Sequence, residues 1–368
     1  MNDEKKYMRR AIELAREGEG FTNPNPLVGA VIVKDGKIIG EGFHRKYGEM
    51  HAEREALKNC EERGNDASGA TIYVTLEPCC HFGKQPPCTQ ALAEHGIAKV
   101  VVGSRDPNPL VHGKGNEYLR QHGIEVVEDF LKDECDALNP IFFYFITTAL
   151  PFVALKYAMT MDGKIATKTG ESKWITCEKS REYVHKLRNR YAGILCGIGT
   201  VLKDNPMLNC RIPGGNNPIR IICDSHLKIP LDCKIVQSAG EIKTIVAAVD
   251  CDFADFVAKK SALEKNGVEV LLFNADKNGN VELSELFKEL GRRKIDSVLV
   301  EGGGEINYSL LNENLVQKIY AFVAPKIFGG NAKSPVCGAG VELPGQAFEF
   351  NLKEIKTFGG DLLLEYEK

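Results

Sequence analysis

The chain switches between two hydrophobic rhythms, and the switches mark out its elements. Over residues 5–17, Met8, Ile12 and Ala15 recur at helical spacing with Ala11 beside them, which predicts an amphipathic helix. Residues 27–33 and 37–43 flank Asp35-Gly36, a dipeptide suited to the tight turn of a β-hairpin. Residues 51–60 return to helical spacing, with Ala52, Ala56 and Leu57 on one face. Apolar runs at 70–76 and 100–103 predict buried strands, with a loop and a helix over 88–95 between them. Residues 129–148 predict a connecting helical stretch that ends in the aromatic run Phe142-Phe143-Tyr144-Phe145.

The alternation resumes after Pro151. Strands are predicted at 152–158, 192–196, 219–223, 244–249, 269–273, 297–300 and 319–323. Helices are predicted at 178–191, 252–265, 284–293 and 305–312. No repeat links the halves. A chain of 368 residues is long enough for two domains, and the expected division is 1–148 and 149–368, two unlike α/β domains.

Composition narrows the function classes. Hydrophobic residues make up 43% and charged residues 26%, an ordinary soluble mix. Lys and Arg number 47 against 50 Asp and Glu, a net charge of -3, which argues against a polycation that coats nucleic acid. The charged N-terminal stretch leads straight into a helical pattern, without the apolar segment of a signal peptide. No apolar run approaches the ~18 residues of a membrane span. A cytoplasmic protein with neither a nucleic-acid nor a membrane partner is expected. In a reducing compartment its twelve cysteines read as metal ligands or small buried residues before disulfides. Cys60, Cys135 and Cys251 are expected to be of the buried kind.

The strongest chemical signal is His51-Ala52-Glu53, followed by Pro78-Cys79-Cys80-His81 and then Cys88. A hydrolytic zinc needs three protein ligands and an open position for water. His51, Cys79 and Cys88 supply the three for one zinc per chain. Glu53, two residues after the histidine near a helix start, reaches the water without binding metal and shuttles its proton. The nine-residue step from Cys79 to Cys88 leaves room for His81 and Lys84 to line a pocket. A structural zinc, closed by Cys80 or His81 as fourth ligand, is the alternative, and it would leave Glu53 without a purpose.

In the second half, Ser297 to Val300 is followed by Glu301-Gly302-Gly303-Gly304-Glu305, a strand, glycines and a helix start. Such a turn either cradles a phosphate against the helix N-terminus or is simply tight. Lys156 interrupts an apolar strand, so it must meet a carboxylate or the substrate. Arg188 and Arg211 offer bidentate forks suited to a phosphate. Trp174, the sole tryptophan, fits either the core or a cofactor contact.

These motifs resemble the RibD family of bifunctional riboflavin-biosynthesis deaminase/reductases. The resemblance runs through Asn23-Pro24-Asn25-Pro26-Leu27-Val28-Gly29, His51-Ala52-Glu53, Leu76-Glu77-Pro78-Cys79, Gly83 with Pro86-Pro87-Cys88, and Asp106-Pro107-Asn108-Pro109 with Gly113-Lys114-Gly115. It continues through residues 155–166, 172–176 and 199–211. Cys80, Gln85 and Asn209 depart from the family's usual small polar residue, Thr and Thr.

The resemblance implies an N-terminal cytidine-deaminase-like α/β/α domain followed by a dihydrofolate-reductase-like α/β domain. It implies zinc-dependent deamination of a phosphoribosylamino-pyrimidinone, then NADPH-dependent reduction of the ribosyl arm to ribityl. Asn23, His44, His81 and Lys84 would line the deaminase pocket. NADPH would meet Ala158, Trp174, Thr200, Asp204 and Ser225, and the loop Gly303, Gly304, Glu305, Ile306, Asn307, Tyr308 and Ser309. The reductase substrate would meet Lys156, Ser172, Arg188, Leu208, Arg211 and Glu301. The proton donor for the reduction is left unassigned. Phosphorylated pyrimidines are the expected partners, and a homo-oligomer, dimer or tetramer, the expected assembly.

Overall fold

The computed structural model describes residues 4–82, 86–108 and 111–368. By internal contacts the chain forms two compact units, Met1–Ala149 and Leu150–Lys368. Among the described residues no helix is long and apolar enough to cross a membrane, and the cysteines form no disulfide.

The first unit runs α1 (Lys5–Arg16), β1 (Gly29–Lys34), β2 (Lys37–Phe43), α2 (Ala52–Glu62), β3 (Thr71–Leu76), α3 (Cys88–Glu94), β4 (Lys99–Ser104), α4 (Lys114–Gln121), β5 (Glu125–Val127), α5 (Lys132–Asp136) and α6 (Pro140–Thr148). Its sheet has the order β2-β1-β3-β4-β5. The β1–β2 and β1–β3 pairs are antiparallel, and β3–β4 and β4–β5 are parallel. Asp35 and Gly36 both take positive φ, +51° and +73°, which is the turn that Asp-Gly favours.

Strand alternation divides the apolar residues between two faces. Ala30, Ile32, Ile72, Val74, Val100 and Val102 pack with Ala52, Ala56 and Leu57 of α2. Val31, Val33, Tyr73 and Val101 pack with Met8, Ala11 and Ala15 of α1. The result is the expected α/β/α sandwich. Gly42 is required by closeness: a Cβ there would lie 2.4 Å from the Ala56 backbone nitrogen, so α2 could not seat on β2. Cys60 and Cys135 lie in these cores, whereas Cys251, in the second unit, is only partly buried.

The expected single helical stretch over 129–148 is two helices, α5 and α6. Pro140 opens α6 at its first turn, where its missing N–H costs nothing. Asn139 just before it accepts from Leu27 N at 2.7 Å and donates to Leu27 O at 2.9 Å. That side chain ties the break to the chain entering β1.

The second unit runs β6 (Phe152–Thr160), α7 (Glu178–Arg190), β7 (Gly193–Gly197), α8 (Ile198–Asp204), β8 (Ile219–Cys223), α9 (Lys234–Gln237), β9 (Thr244–Val249), α10 (Ala254–Lys265), β10 (Val268–Phe273), α11 (Leu283–Arg292), β11 (Ser297–Val300), α12 (Gly304–Asn312), β12 (Lys318–Ala324), β13 (Asn351–Phe358) and β14 (Asp361–Glu367). The strand order is β10-β9-β8-β7-β11-β6-β12-β14-β13. Strands β6 to β12 pair in parallel, and the β13–β14 hairpin closes the sheet antiparallel. One face packs Val153, Leu155, Leu195, Ile221 and Val298 on α11 and α12. The other packs Ile194, Cys196, Ile222 and Val246 on Val201, Ile235 and Leu263.

Candidate functional site

In the first unit, β3 and two helix starts converge. His51 is the N-cap of α2, Cys88 opens α3, and Cys79 follows the end of β3. His51 Nδ1 lies 3.5 Å from Cys79 Sγ and 3.4 Å from Cys88 Sγ. One ligand atom from each of the three falls within 4.8 Å of the others. Tetrahedral zinc, with bonds of about 2.0–2.1 Å to nitrogen and about 2.3 Å to sulfur, spaces N and S roughly 3.5 Å apart. The donor set and its spacing therefore fit zinc. Among the described residues neither Cys80 nor His81 joins the cluster, so the shell has three protein ligands and Cys79 is the member of the Cys79-Cys80 pair that faces it.

The electrostatics suit these roles. A hydrogen bond from Cys88, opposed by burial and aided by His51, holds the Cys79 thiol down at about 4. The same contact, with burial, pushes Cys88 up. A bound metal holds coordinating thiols as thiolates. Glu53, in the first turn of α2, is only 3% exposed. Burial, then the Cys79 thiolate, pushes its carboxyl up, which suits a group that takes and returns a proton.

A cavity of about 240 Å³ opens onto His51 and Cys79, with His44, Asn25, Glu53 and His81 in its wall. His44 Nδ1 lies 2.9 Å from Met50 O, so it carries the hydrogen, because a carbonyl only accepts. Its Nε2 then accepts from Asn25 Nδ2 at 3.1 Å. Burial lowers the His44 pKa, in keeping with a neutral ring. His81 Nδ1 is buried without a hydrogen-bond partner. Asn23 is not in the wall; its neighbour Asn25 is. Lys84 lies outside the described residues.

The wall also holds residues to which the sequence reading gave no role: Glu77, Asp106, Asn108 and Val111. Burial raises Asp106 to about 6. The signals available for them were Leu76-Glu77-Pro78-Cys79 for Glu77 and the Asp106–Gly115 stretch for the others, which marked segments without saying where they fold.

In the second unit a cavity of about 650 Å³ lies along the C-terminal ends of β7, β8 and β11. Thr200, Asp204, Ser225, Gly303, Gly304, Glu305, Ile306 and Ser309 line it, with Ser172 and Glu301. Gly303 is the N-cap of α12 with ordinary φ of -73°, so its backbone conformation does not call for glycine. A Cβ there would meet nothing nearer than Thr200 Oγ1 at 3.9 Å. Gly303, Gly304, Glu305 and Ile306 at the start of α12 border the cavity, a helix N-terminus favours an anionic phosphate, and the cavity fits NADPH.

Not every expected contact lies in this wall. Asn307 is buried and donates to Pro335 O at 2.8 Å. Tyr308 donates to Gly340 O at 3.3 Å. Leu208 is a core residue, 3% exposed. Ala158 and Arg211 are also outside the lining. Trp174 is 63% exposed, so it is not core, and the Arg181 guanidinium lies 4.5 Å over its ring.

The phosphate fork expected of Arg188 is already occupied. Its Nε and Nη2 donate to the two oxygens of Glu301 at 2.6 and 3.0 Å. Lys156 donates to the same carboxylate at 3.4 Å, which is the partner its place in a strand demanded. A buried guanidinium requires such pairing. Burial alone would raise Glu301, but Arg188 and Lys156 outweigh it and hold the carboxyl at about 2.

Comparison with known proteins agrees with both halves. Residues 1–104 match the cytidine and deoxycytidylate deaminase zinc-binding region, and residues 151–364 match the RibD C-terminal domain. The riboflavin biosynthesis protein RibD of Actinobacillus pleuropneumoniae is 53% identical over 98% of this chain and 94% of that protein. The Escherichia coli RibD is 39% identical over 97% of each chain. A solved Thermotoga maritima diaminohydroxyphosphoribosylaminopyrimidine deaminase/5-amino-6-(5-phosphoribosylamino)uracil reductase superposes with TM-score 0.87 at 40% identity, covering 100% of this chain and 99% of that one. With a His-Cys-Cys cluster in the first unit and both family regions in order along the sequence, the chain belongs to the RibD family of bifunctional riboflavin-biosynthesis deaminase/reductases.

Proposed function

We propose that the first unit hydrolytically deaminates 2,5-diamino-6-(5-phosphoribosylamino)pyrimidin-4(3H)-one. The second then reduces the ribosyl arm of the resulting 5-amino-6-(5-phosphoribosylamino)uracil to ribityl with NADPH. The observation that carries the reading is the convergence of His51, Cys79 and Cys88 within 4.8 Å beside the buried Glu53. Zinc, when bound, lowers the pKa of a coordinated water toward about 7. Glu53 takes the proton of the attacking water and delivers it to the departing amine. His44, His81 and the amide of Asn25, with Lys84, orient the pyrimidine and its charged arm.

In the second unit Gly303, Gly304, Glu305, Ile306 and Ser309, with Thr200, Asp204 and Ser225, hold NADPH. Lys156, Ser172, Arg188, Arg211 and Glu301 present the substrate. Arg188 acts there through Glu301, whose fixed negative charge orients the polar edge of the substrate, and Arg211 takes the phosphate. Positioning the nicotinamide against the sugar carbon is most of what hydride transfer asks of the protein.

The assembly is a homo-oligomer. Its support is the sheet edge at β13, where Leu352 and Ile355 are exposed, as is Leu362 of the neighbouring β14, a surface that edge-to-edge or face packing would cover. A cytoplasmic setting keeps the thiolate ligands reduced. One assay tests the central reading: with the phosphorylated pyrimidinone and NADPH, the protein releases ammonia and oxidises NADPH. Ammonia release without NADPH oxidation would remove the second assignment, and neither reaction would remove both.

A further inference from the structure

We propose that Glu77 is a positioning residue for the deamination, a joint that holds the substrate-facing wall in register with the zinc-ligand turn. The proposal rests on the deaminase reading of the first unit.

Glu77 sits between the end of β3 and Pro78-Cys79, and is only 3% exposed. A buried carboxylate is costly unless donors surround it. Here four backbone amides do so. Oε2 accepts from Gly113 N at 3.1 Å and Asp106 N at 3.4 Å. Oε1 accepts from Gly115 N at 3.1 Å and Asn116 N at 3.4 Å. The carboxylate thus joins the residue two before a zinc ligand to the start of α4 and to the loop ahead of it.

That loop is cavity wall. Asp106, Asn108 and Val111 face the same space as His51, Glu53 and Cys79. Asp106 passes the constraint on: its Oδ1 accepts from Asn108 N at 2.8 Å, and His112 Nδ1 donates to its carbonyl at 3.1 Å. Gly115 supplies the fit on the other side. A Cβ there would lie 2.1 Å from the Pro78 carbonyl oxygen, so 113–116 can close on the ligand turn only with glycine at 115.

Glu77 itself also borders the cavity, so a direct contact with the substrate is the rival role. Its oxygens face amides, which argues for positioning. Two substitutions separate these. Glu77→Gln keeps the shape but turns an amide nitrogen toward two of the four donors. Gly115→Ala leaves the carboxylate intact and displaces the same joint. Both enzymes are assayed as full chains for ammonia release, zinc content, and NADPH oxidation with the deaminated substrate.

A displaced wall should cost affinity rather than water activation. Each variant is expected to raise the deamination KM about 10-fold, with kcat within about 3-fold of the parent, one zinc per chain, and unchanged reduction. A parental KM in a zinc-loaded Glu77→Gln enzyme overturns the proposal. So does a raised KM in Glu77→Gln alone, which would assign Glu77 to the substrate directly. Zinc and kcat falling together at constant KM would reduce Glu77 to part of the metal frame and also overturn it. Should Glu77→Gln not fold, the Gly115→Ala profile decides. A parent enzyme that releases no ammonia would instead remove the deaminase reading before any variant is compared.

Discussion

The two cavities make different demands on sequence. The deaminase cavity, about 240 Å³, is built around a metal, and metal chemistry dictates residue identity: imidazole, thiolate, thiolate, with a carboxylate in reach. The reductase cavity, about 650 Å³, is spread over several strand ends and helix starts and lined by glycines, small residues and large charged side chains alike. Its requirement is shape, which many residues satisfy. Chemistry concentrated in few atoms is written plainly in a sequence; chemistry spread over a surface is not.

The largest expected effect tests whether the cavities are independent. Glu53→Gln keeps the side-chain shape but cannot take the water's proton, so deamination should fall roughly 10²–10⁴-fold. Zinc should stay, because Glu53 is not in the ligand cluster. NADPH oxidation with the already deaminated substrate should be unaffected, since every residue lining the second cavity lies beyond Ala149. Joint loss of both activities in a folded, zinc-loaded variant would mean one composite site.

Next comes the metal itself. Cys79→Ser removes a sulfur 3.5 Å from His51 Nδ1, whereas Cys80 stands outside the cluster. Metal analysis should find zinc lost from Cys79→Ser and kept at one per chain in Cys80→Ser. The reverse result would exchange the two cysteines.

A smaller effect is expected in the second cavity. Gly303→Val fits the backbone, whose φ is -73°, and meets no atom nearer than 3.9 Å at its Cβ. Folding should survive, while the branched side chain intrudes on the space before α12. The NADPH KM should rise about 10-fold, the order of one lost charge-assisted hydrogen bond. Unchanged NADPH affinity would take this loop out of the cofactor site.

The same contrast explains what was legible. His51, Glu53, Cys79 and Cys88 could be chosen from spacing because few arrangements perform that chemistry. Long periodic elements such as α1 and α11 were also readable. The hairpin β13–β14 was not: Lys353, Glu354 and Lys356 make β13 look polar, since it is an edge strand with most residues exposed. Gly359-Gly360 was the turn signal that could have exposed it. Glu77 was hidden for another reason. Its partners are backbone amides 29 to 39 residues away, which no side-chain pattern records. The role of Arg188 depended on which anion reached it first in space, and that anion is Glu301.

The smallest expected effect is a pH dependence in the second unit. Glu301 is held at about 2, below the ordinary 4.5, because Arg188 and Lys156 outweigh its burial. A folded-state pKa depressed in this way contributes stability that is present above the unfolded value, near 4.5, and is lost as pH falls through about 2. Trp174 is the sole tryptophan and belongs to the second unit, so its fluorescence follows that unit during denaturant unfolding. Between pH 5 and pH 2.5 the parent should lose more stability than Glu301→Gln, which has no carboxyl to titrate. At pH 7 the order is set by a different term: the variant leaves Arg188 buried beside a neutral group and should be the less stable. The two unfolding curves should therefore approach each other as the pH falls. Parallel curves would mean that solvent already screens the Glu301 pair, and that its order in the second cavity comes from packing rather than charge.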